Sequence, residues 1–326
     1  MLAIPRPSAQ GPRMAKSLTS HRPILAITLK VTAIGLFTIM SGLIKEITQT
    51  VPTGQAVFFR SFFVLPVILV WLAARGDLPS GLRTRSPMLH FWRGVVGTTA
   101  MGLNFAALAI LPLPEVTALG YATPIFTLVL AALLLGERIR IIRISAVAIG
   151  LVGVLIMLSP RLGGAGSFQD MAFIGAMLVL AAAALRGFVQ IHIRKMVQSE
   201  ETAAIVFYFS VTASLLSLLT LPFGWVKPDM PLLLLMISTG FIGAIAQILI
   251  TSSYRFAPAS LLAPYDYVSM LFALLIGYVW FSEWPSLVML LGAALVIVAN
   301  GIVIWRESRL GLERGKAKPL TDPKGG

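Results

Sequence analysis

Apolar residues in this chain run in blocks of about twenty, divided by short stretches rich in charge, Pro or Gly. A helix that crosses a bilayer needs ~20 predominantly apolar residues at about 1.5 Å rise each. Stretches of that kind occupy 24–44, 55–74, 88–110, 115–135, 141–158, 171–190, 202–222, 231–254, 259–281 and 286–305. The pattern predicts an all-α polytopic membrane protein of ten transmembrane helices. Pro66, Pro124 and Pro264 fall inside or near the mouths of spans, where each removes a backbone hydrogen bond and can kink the helix.

Composition agrees with lipid as the solvent. Hydrophobic residues make up 57% of the chain and charged residues 12%, too few to cover a water-soluble fold of 326 residues. The chain has no cysteine, which excludes disulfides, thiolate metal sites and cysteine nucleophiles. His21, His90 and His192 are far apart and form no metal-ligand motif. No metal and no cofactor is expected, and no catalytic residue.

The net charge of +13 would suit a nucleic-acid partner, so the placement of the bases decides its meaning. Counted from a cytoplasmic N-terminus, twenty of the 26 Lys and Arg fall on the cytoplasmic side, Arg93 among them. Lys45, Arg161 and Lys227 fall outside, and Lys30, Arg60 and Arg186 lie within spans. This positive-inside distribution puts both termini in the cytoplasm of an inner-membrane protein and removes the need for nucleic acid. All six Trp (71, 92, 225, 280, 284 and 305) fall near span ends, as an aromatic belt against membrane lipid requires. The apolar stretch from Ile24 is too long for a cleavable signal peptide and lacks a small-residue cleavage site.

Residues 94–154 laid over 240–300 align Gly94 with Gly240, Gly97 with Gly243, Pro112 with Pro258, Tyr121 with Tyr267 and Glu137 with Glu283. The offset of 146 divides the chain into a tail (1–23), a first five-helix repeat (24–158), a second (171–305) and a C-terminal tail (306–326). Because five is odd, the second half enters the membrane from the opposite side, the inverted topology that many secondary transporters use for alternating access. Small residues at helical spacing, such as Gly94, Gly97 and Gly102 or Ala146, Gly150 and Gly153, let helices approach closely.

The helix map, the repeat, Leu111-Pro-Leu-Pro-Glu115, the Gly136-Glu137-Arg138 turn after the fourth span and Ser282-Glu283 after the ninth resemble the drug/metabolite transporter superfamily, EamA type. The resemblance covers nearly all of 24–305. It implies a carrier of amino acids, nucleosides, vitamins or other small molecules that works without ATP and holds no cofactor. Ala263-Pro-Tyr-Asp-Tyr-Val-Ser-Met270 is similar to a subgroup that includes riboflavin importers and S-adenosylmethionine carriers.

Asp266 is the most informative residue, lying ~10 Å along the ninth span, where a charge needs a partner or a watery cavity. Its repeat equivalent is Gly120, so the carboxylate breaks the internal symmetry. Arg60 and Arg186 are its candidate ion-pair partners, whereas Lys30, near the inner mouth, is expected to snorkel. Substrate-binding or coupling roles are expected for Asp266, Arg60, Tyr121, Tyr265, Tyr267, Asn104, Gln247 and Arg186, with Gln190 and Tyr208 as further polar groups. Aromatic faces stack on flat rings while a few polar groups fix orientation, which suits inward transport of riboflavin. The alternative is a carrier or exporter of amino acids, S-adenosylmethionine or related metabolites, with an amino acid held by Arg60 and Asp266. The rival class, an intramembrane aspartyl protease, needs two carboxylates sharing a proton, and no second deep Asp follows Tyr265-Asp266. A channel would have an open pore in place of a closed central pocket.

Overall fold

The computed structural model describes residues 23–135, 141–162, 171–196, 200–256 and 262–316. The Gly136-Glu137-Arg138 turn, Pro258, residues 1–22 and residues 317–326 lie outside these. Among the described residues the chain is helical, with no strand: α1 (Pro23–Ile47), α2 (Thr53–Phe62), α3 (Val64–Ala74), α4 (Leu78–Gly81), α5 (Pro87–Ile110), α6 (Leu113–Gly120) and α7 (Thr123–Leu135) come first. There follow α8 (Ile141–Leu162), α9 (Met171–Met196), α10 (Thr202–Leu218), α11 (Met230–Phe256), a 3-10 turn (Ala263–Tyr267), α12 (Val268–Phe281) and α13 (Leu287–Lys316). Six stretches are long and apolar enough to cross a membrane: Ile24–Ile47, Thr53–Ala74, Pro87–Ile110, Leu113–Ala131, Met171–Ile193 and Met230–Ser253. Four apolar helices are shorter: Ser145–Ser159, Ala203–Leu218, Tyr265–Phe281 and Leu287–Ile302. Each expected stretch falls on one of these.

The helices break where proline chemistry requires it. A proline within a helix leaves the carbonyl four residues earlier without a donor and its ring clashes there. For Pro66 that carbonyl belongs to Phe62, the last residue of α2; for Pro124 it belongs to Gly120, the last residue of α6. The Gly120 carbonyl accepts from the Thr123 hydroxyl instead, at 2.8 Å. The break thus puts Tyr121 and Ala122 in a turn at mid-span.

Packing follows the small residues. Helix α1 runs along α11, α5 along α9, and α8 along α13. At the last contact a β-carbon on Gly153 would lie 2.7 Å from the Gly292 carbonyl oxygen, and one on Gly292 would lie 2.6 Å from that of Gly153, so backbone meets backbone and no side chain fits. The core is continuous through the bundle, with Ile44, Leu108, Leu119, Val179, Met236 and Val296 all but fully buried. Outward faces are equally apolar: Val70, Leu133 and Leu287 are 69–78% exposed, which only lipid accommodates on this scale.

Candidate transport site

Tyr121, in the break between α6 and α7, meets Tyr267, at the junction of the 3-10 turn and α12. Their ring centroids are 5.2 Å apart and the rings are edge to face, the arrangement favoured by the aromatic quadrupole. The Tyr121 hydroxyl lies 2.7 Å from Ser269 Oγ in a hydrogen bond and 3.4 Å from the Tyr267 carbonyl oxygen. Asn300 of α13 donates from Nδ2 to the Tyr121 carbonyl at 3.2 Å, joining a third element to the pair. Beside them a half-open cleft of about 90 Å³ runs between α7, α8 and α13, walled by Ile125, Leu128 and Val147, with Tyr267 and Asn300 as its polar groups.

Arg186 of α9 reaches the same region. Its Nη1 donates to Asn104 Oδ1 of α5 at 3.1 Å, and its Nη2 lies 3.4 Å from where a β-carbon on Gly120 would stand. The guanidinium thus lies against the α6 backbone next to Tyr121. Arg186 Nε and Nη2 are buried and have no hydrogen-bond partner among the described residues. Buried N–H groups of a cation left in that condition cost several kcal/mol unless an acceptor meets them, roughly 1–3 kcal/mol per group.

Two expectations are corrected here. Asp266 pairs with neither Arg60 nor Arg186: its Oδ1 lies 2.7 Å from Lys30 Nζ. Lys30 does not snorkel. It is 1% exposed, because α1 packs against the 3-10 turn and directs the ammonium at the carboxylate, which is itself about half exposed. Arg93, counted with the cytoplasmic bases, also turns inward. Its guanidinium carbon lies 3.7 Å from the Phe209 ring centroid, with Nε and Nη1 buried and unpartnered among the described residues. Arg60 approaches the same ring at 6.0 Å.

The other expected site residues are distributed differently. Thr127 of α7 donates to Gln190 at 3.0 Å, and Tyr208 donates to the Leu82 carbonyl at 3.1 Å, so both bridge structural elements. Gln247 and Tyr265 are half-buried and make no side-chain hydrogen bond among the described residues. Sequence reading missed Asn300, Ser269, Phe209 and the inward turn of Arg93. A lone Asn in an otherwise apolar stretch was a usable signal for the first; nothing in the spacing marked the others.

Both ends of the bundle carry a carboxylate set against a basic side chain. At one, Lys45 Nζ lies 2.9 Å from Glu283 and donates to the Leu111 carbonyl at 2.7 Å, while Glu283 accepts from the Leu113 amide at 2.8 Å. The α12 terminus aims that carboxylate: Ser282 takes a left-handed conformation (φ 54°) and its amide bonds the Tyr278 carbonyl, the αL capping motif, while the Glu283 amide bonds Gly277. At the other, Glu200 accepts from the Arg85 and Ser86 amides at 2.8 and 3.0 Å and lies 3.2 Å from His90 Nε2. Burial pushes the Glu200 carboxyl up, but the Arg85 amide, His90 and Thr84 outweigh it and hold the group below the usual carboxylate range.

The chain is similar to known transporters along most of its length. It is 28% identical over 277 residues to the pseudopaline exporter of Pseudomonas aeruginosa, covering 84% of this chain and 93% of that one. It is 27% identical over 255 residues to the S-adenosylmethionine uptake transporter of Rickettsia prowazekii (78% and 84%) and 28% identical over 259 residues to the riboflavin transporter of Rhizobium johnstonii (79% and 83%). A solved crystal structure shares the fold, with a TM-score of 0.62 at 23% identity over 89% of this chain and 99% of that one. The EamA-like transporter family matches residues 21–159 and 173–305. With both halves of its helical bundle accounted for in this way, the chain belongs to the EamA-like transporter family and is a multi-pass membrane transporter of a small metabolite.

Proposed function

We propose that the protein is a ten-span secondary carrier of the inner membrane, its halves 24–158 and 171–305 related as inverted repeats, with both termini cytoplasmic. Three contacts support the repeat. Residues related by a two-fold axis touch only when both lie near that axis, and Tyr121 and Tyr267, the repeat equivalents, are in contact. Gly94 packs on Thr212 of α10 while its equivalent Gly240 packs on Phe63, next to α2, so equivalent glycines face equivalent helices. A β-carbon on Gly150 would touch Ala299 and one on Gly153 would touch Val296, which is the reciprocal pattern of an isologous contact at the same offset. The positive-inside distribution supports the orientation.

The solute-binding residues in this reading are Arg186, Asn104, Tyr121, Tyr267 and Asp266, gathered near the axis, and the solute carries a carboxylate and an ammonium, as an amino-acid-derived metabolite does. The observation that carries this is the buried Arg186 guanidinium, whose Nε and Nη2 lack acceptors beside Tyr121. A carboxylate satisfies both N–H groups, and a charge-assisted bond of this kind is about twice as strong as a neutral one. Asp266, half exposed beside Lys30, offers the opposite charge for the ammonium. Alternating access then follows from rocking of the two halves about the Tyr121–Tyr267 contact, with no covalent chemistry.

A second reading, riboflavin import, is favoured by the edge-to-face tyrosine pair and by the similarity to the Rhizobium riboflavin transporter. A neutral ring leaves Arg186 without its acceptor, which ranks this reading below the first. Uptake of riboflavin, S-adenosylmethionine and neutral, acidic and carboxyalkylated amino acids into proteoliposomes separates them. Preference for members with a free carboxylate, lost in Arg186→Gln, supports the first reading. Riboflavin uptake unaffected by that change supports the second.

A further inference from the structure

Helices α2, α5, α9, α10 and α11 contain no Asp or Glu, yet they bring three arginines into the bundle interior. Arg60 and Arg93 converge on one ring, that of Phe209, with their guanidinium carbons 6.0 and 3.7 Å from its centroid. The two charges are therefore no farther apart than the sum of those distances, close enough to act on each other as like charges. Arg60 Nε and Arg93 Nε and Nη1 are buried without a hydrogen-bond partner among the described residues. Three hydroxyls within a few residues on the same helices, Ser61, Thr98 and Ser210, are buried and unpartnered in the same sense.

The face of an aromatic ring stabilises a cation by about 0.5–2 kcal/mol, well short of what moving a guanidinium out of water costs. Phe209 alone therefore does not settle two of them side by side. An anion bridging the pair does, since each guanidinium presents a planar fork that matches a carboxylate. These helices carry no carboxylate, and Glu200, beside His90 of α5, is already held by the Arg85 and Ser86 amides and by His90, so a carboxylate of the solute is the anion the cluster fits.

The position of this cluster relative to Arg186 sets a length. Arg93 Nη1 lies 3.3 Å from where a β-carbon on Gly97 would stand, so its charge is level with Gly97 on α5. Arg186 bonds Asn104 of the same helix, seven residues on. At 1.5 Å per residue the two anion positions are roughly 10 Å apart along the axis of α5.

We propose that Arg60, Arg93 and Phe209 form a second carboxylate subsite, and that the transported solute is an elongated acidic metabolite whose carboxylates are spaced to engage Arg186 and this cluster together. The proposal rests on the carrier reading above and deepens its substrate class. It distinguishes the solute from riboflavin, which has no carboxylate, and from a simple α-amino acid, whose single α-carboxylate reaches one subsite only.

The test is a length series of α,ω-dicarboxylates, glutarate, suberate and sebacate, with octanoate as the one-ended control, binding to purified wild-type protein at fixed ionic strength. Suberate or sebacate should bind about tenfold more tightly than glutarate or octanoate. Arg60→Gln and Arg93→Gln should each bring the longer diacids down to the octanoate level measured on the same variant. Equal affinity across the series in the wild type overturns the proposal even if neither variant folds, as does a folded Arg93→Gln that keeps the full preference. Uptake of the metabolite panel in vesicles of the same preparation reports separately on the carrier reading: uptake together with length-independent binding removes the second subsite and leaves the carrier, whereas uptake of nothing removes the carrier.

Discussion

Tyr121 and Tyr267, 146 residues apart in the chain, stand edge to face with their rings 5.2 Å apart. Each is delivered by an interrupted helix, Tyr121 by the break before Pro124 and Tyr267 by the 3-10 turn that opens α12. Their environments are nevertheless unlike: the Tyr121 hydroxyl bonds Ser269, and the residue before Tyr267 is charged where the residue before Tyr121 is Gly120. A near-symmetric contact with asymmetric chemistry is what an axis-centred site needs to hold a solute with different ends.

Removing the Tyr121 hydroxyl should therefore test the contact without emptying the space. Tyr121→Phe and Ser269→Ala are each expected to cost about 0.5–1.5 kcal/mol, and the double variant less than their sum. Thermal unfolding in detergent, read as a double-mutant cycle, checks the coupling. Strictly additive effects would mean the 2.7 Å hydrogen bond contributes nothing to stability.

Asp266→Asn preserves volume and removes the carboxylate that pairs with a lysine that is 1% exposed. Breaking a buried pair costs about 3–5 kcal/mol, and the half-exposed carboxylate reduces this to roughly 1–3 kcal/mol. Transport per molecule should fall strongly while insertion survives, and Lys30→Met combined with Asp266→Asn should recover abundance without recovering transport. Membrane abundance measured alongside uptake gives the answer. Normal turnover per molecule in Asp266→Asn would reduce the pair to a structural tie.

These corrections mark where sequence reading stops. The lipid environment, the apolar blocks and the Trp at span ends were all legible, because each depends on composition or on spacing along one chain. The identity of the partner of Asp266 was not: Lys30 lies 236 positions away, and only the packing of α1 on the 3-10 turn selects it over Arg60 and Arg186. Arg93 was assigned to the surface because it lies near a span end, six residues into α5. Which way a residue near a helix end points is decided by the neighbouring helix, here by Phe209 of α10. The helix breaks, by contrast, were foreshadowed by Pro66 and Pro124, since the geometry of proline acts locally.

Acid should loosen the end of the bundle closed by Glu200. Its folded pKa lies below its ordinary value, so the stability it contributes is present above the unfolded carboxylate range, near ~4.3, and is lost as pH falls through the folded value. Glu200→Gln should be less stable than wild type at neutral pH, and the two should converge only once the pH has fallen below the folded value. Thermal unfolding across that range measures it. A stability difference that stays constant down to the acid limit would show that the carboxylate charge plays no part.

The claim that a site on the repeat axis faces the two sides of the membrane in turn can be measured at Ser269, beside Tyr121, in a chain that has no cysteine of its own. Ser269→Cys is close to isosteric and makes a single labelling target. In right-side-out and inside-out vesicles, a membrane-impermeant thiol reagent should reach Cys at 269 from either face, more slowly in both orientations when a transported member of the solute panel is present, and without ion leak. Labelling from one face only and unaffected by solute, or labelling from both faces accompanied by ion leak, would contradict a carrier with its site on the axis.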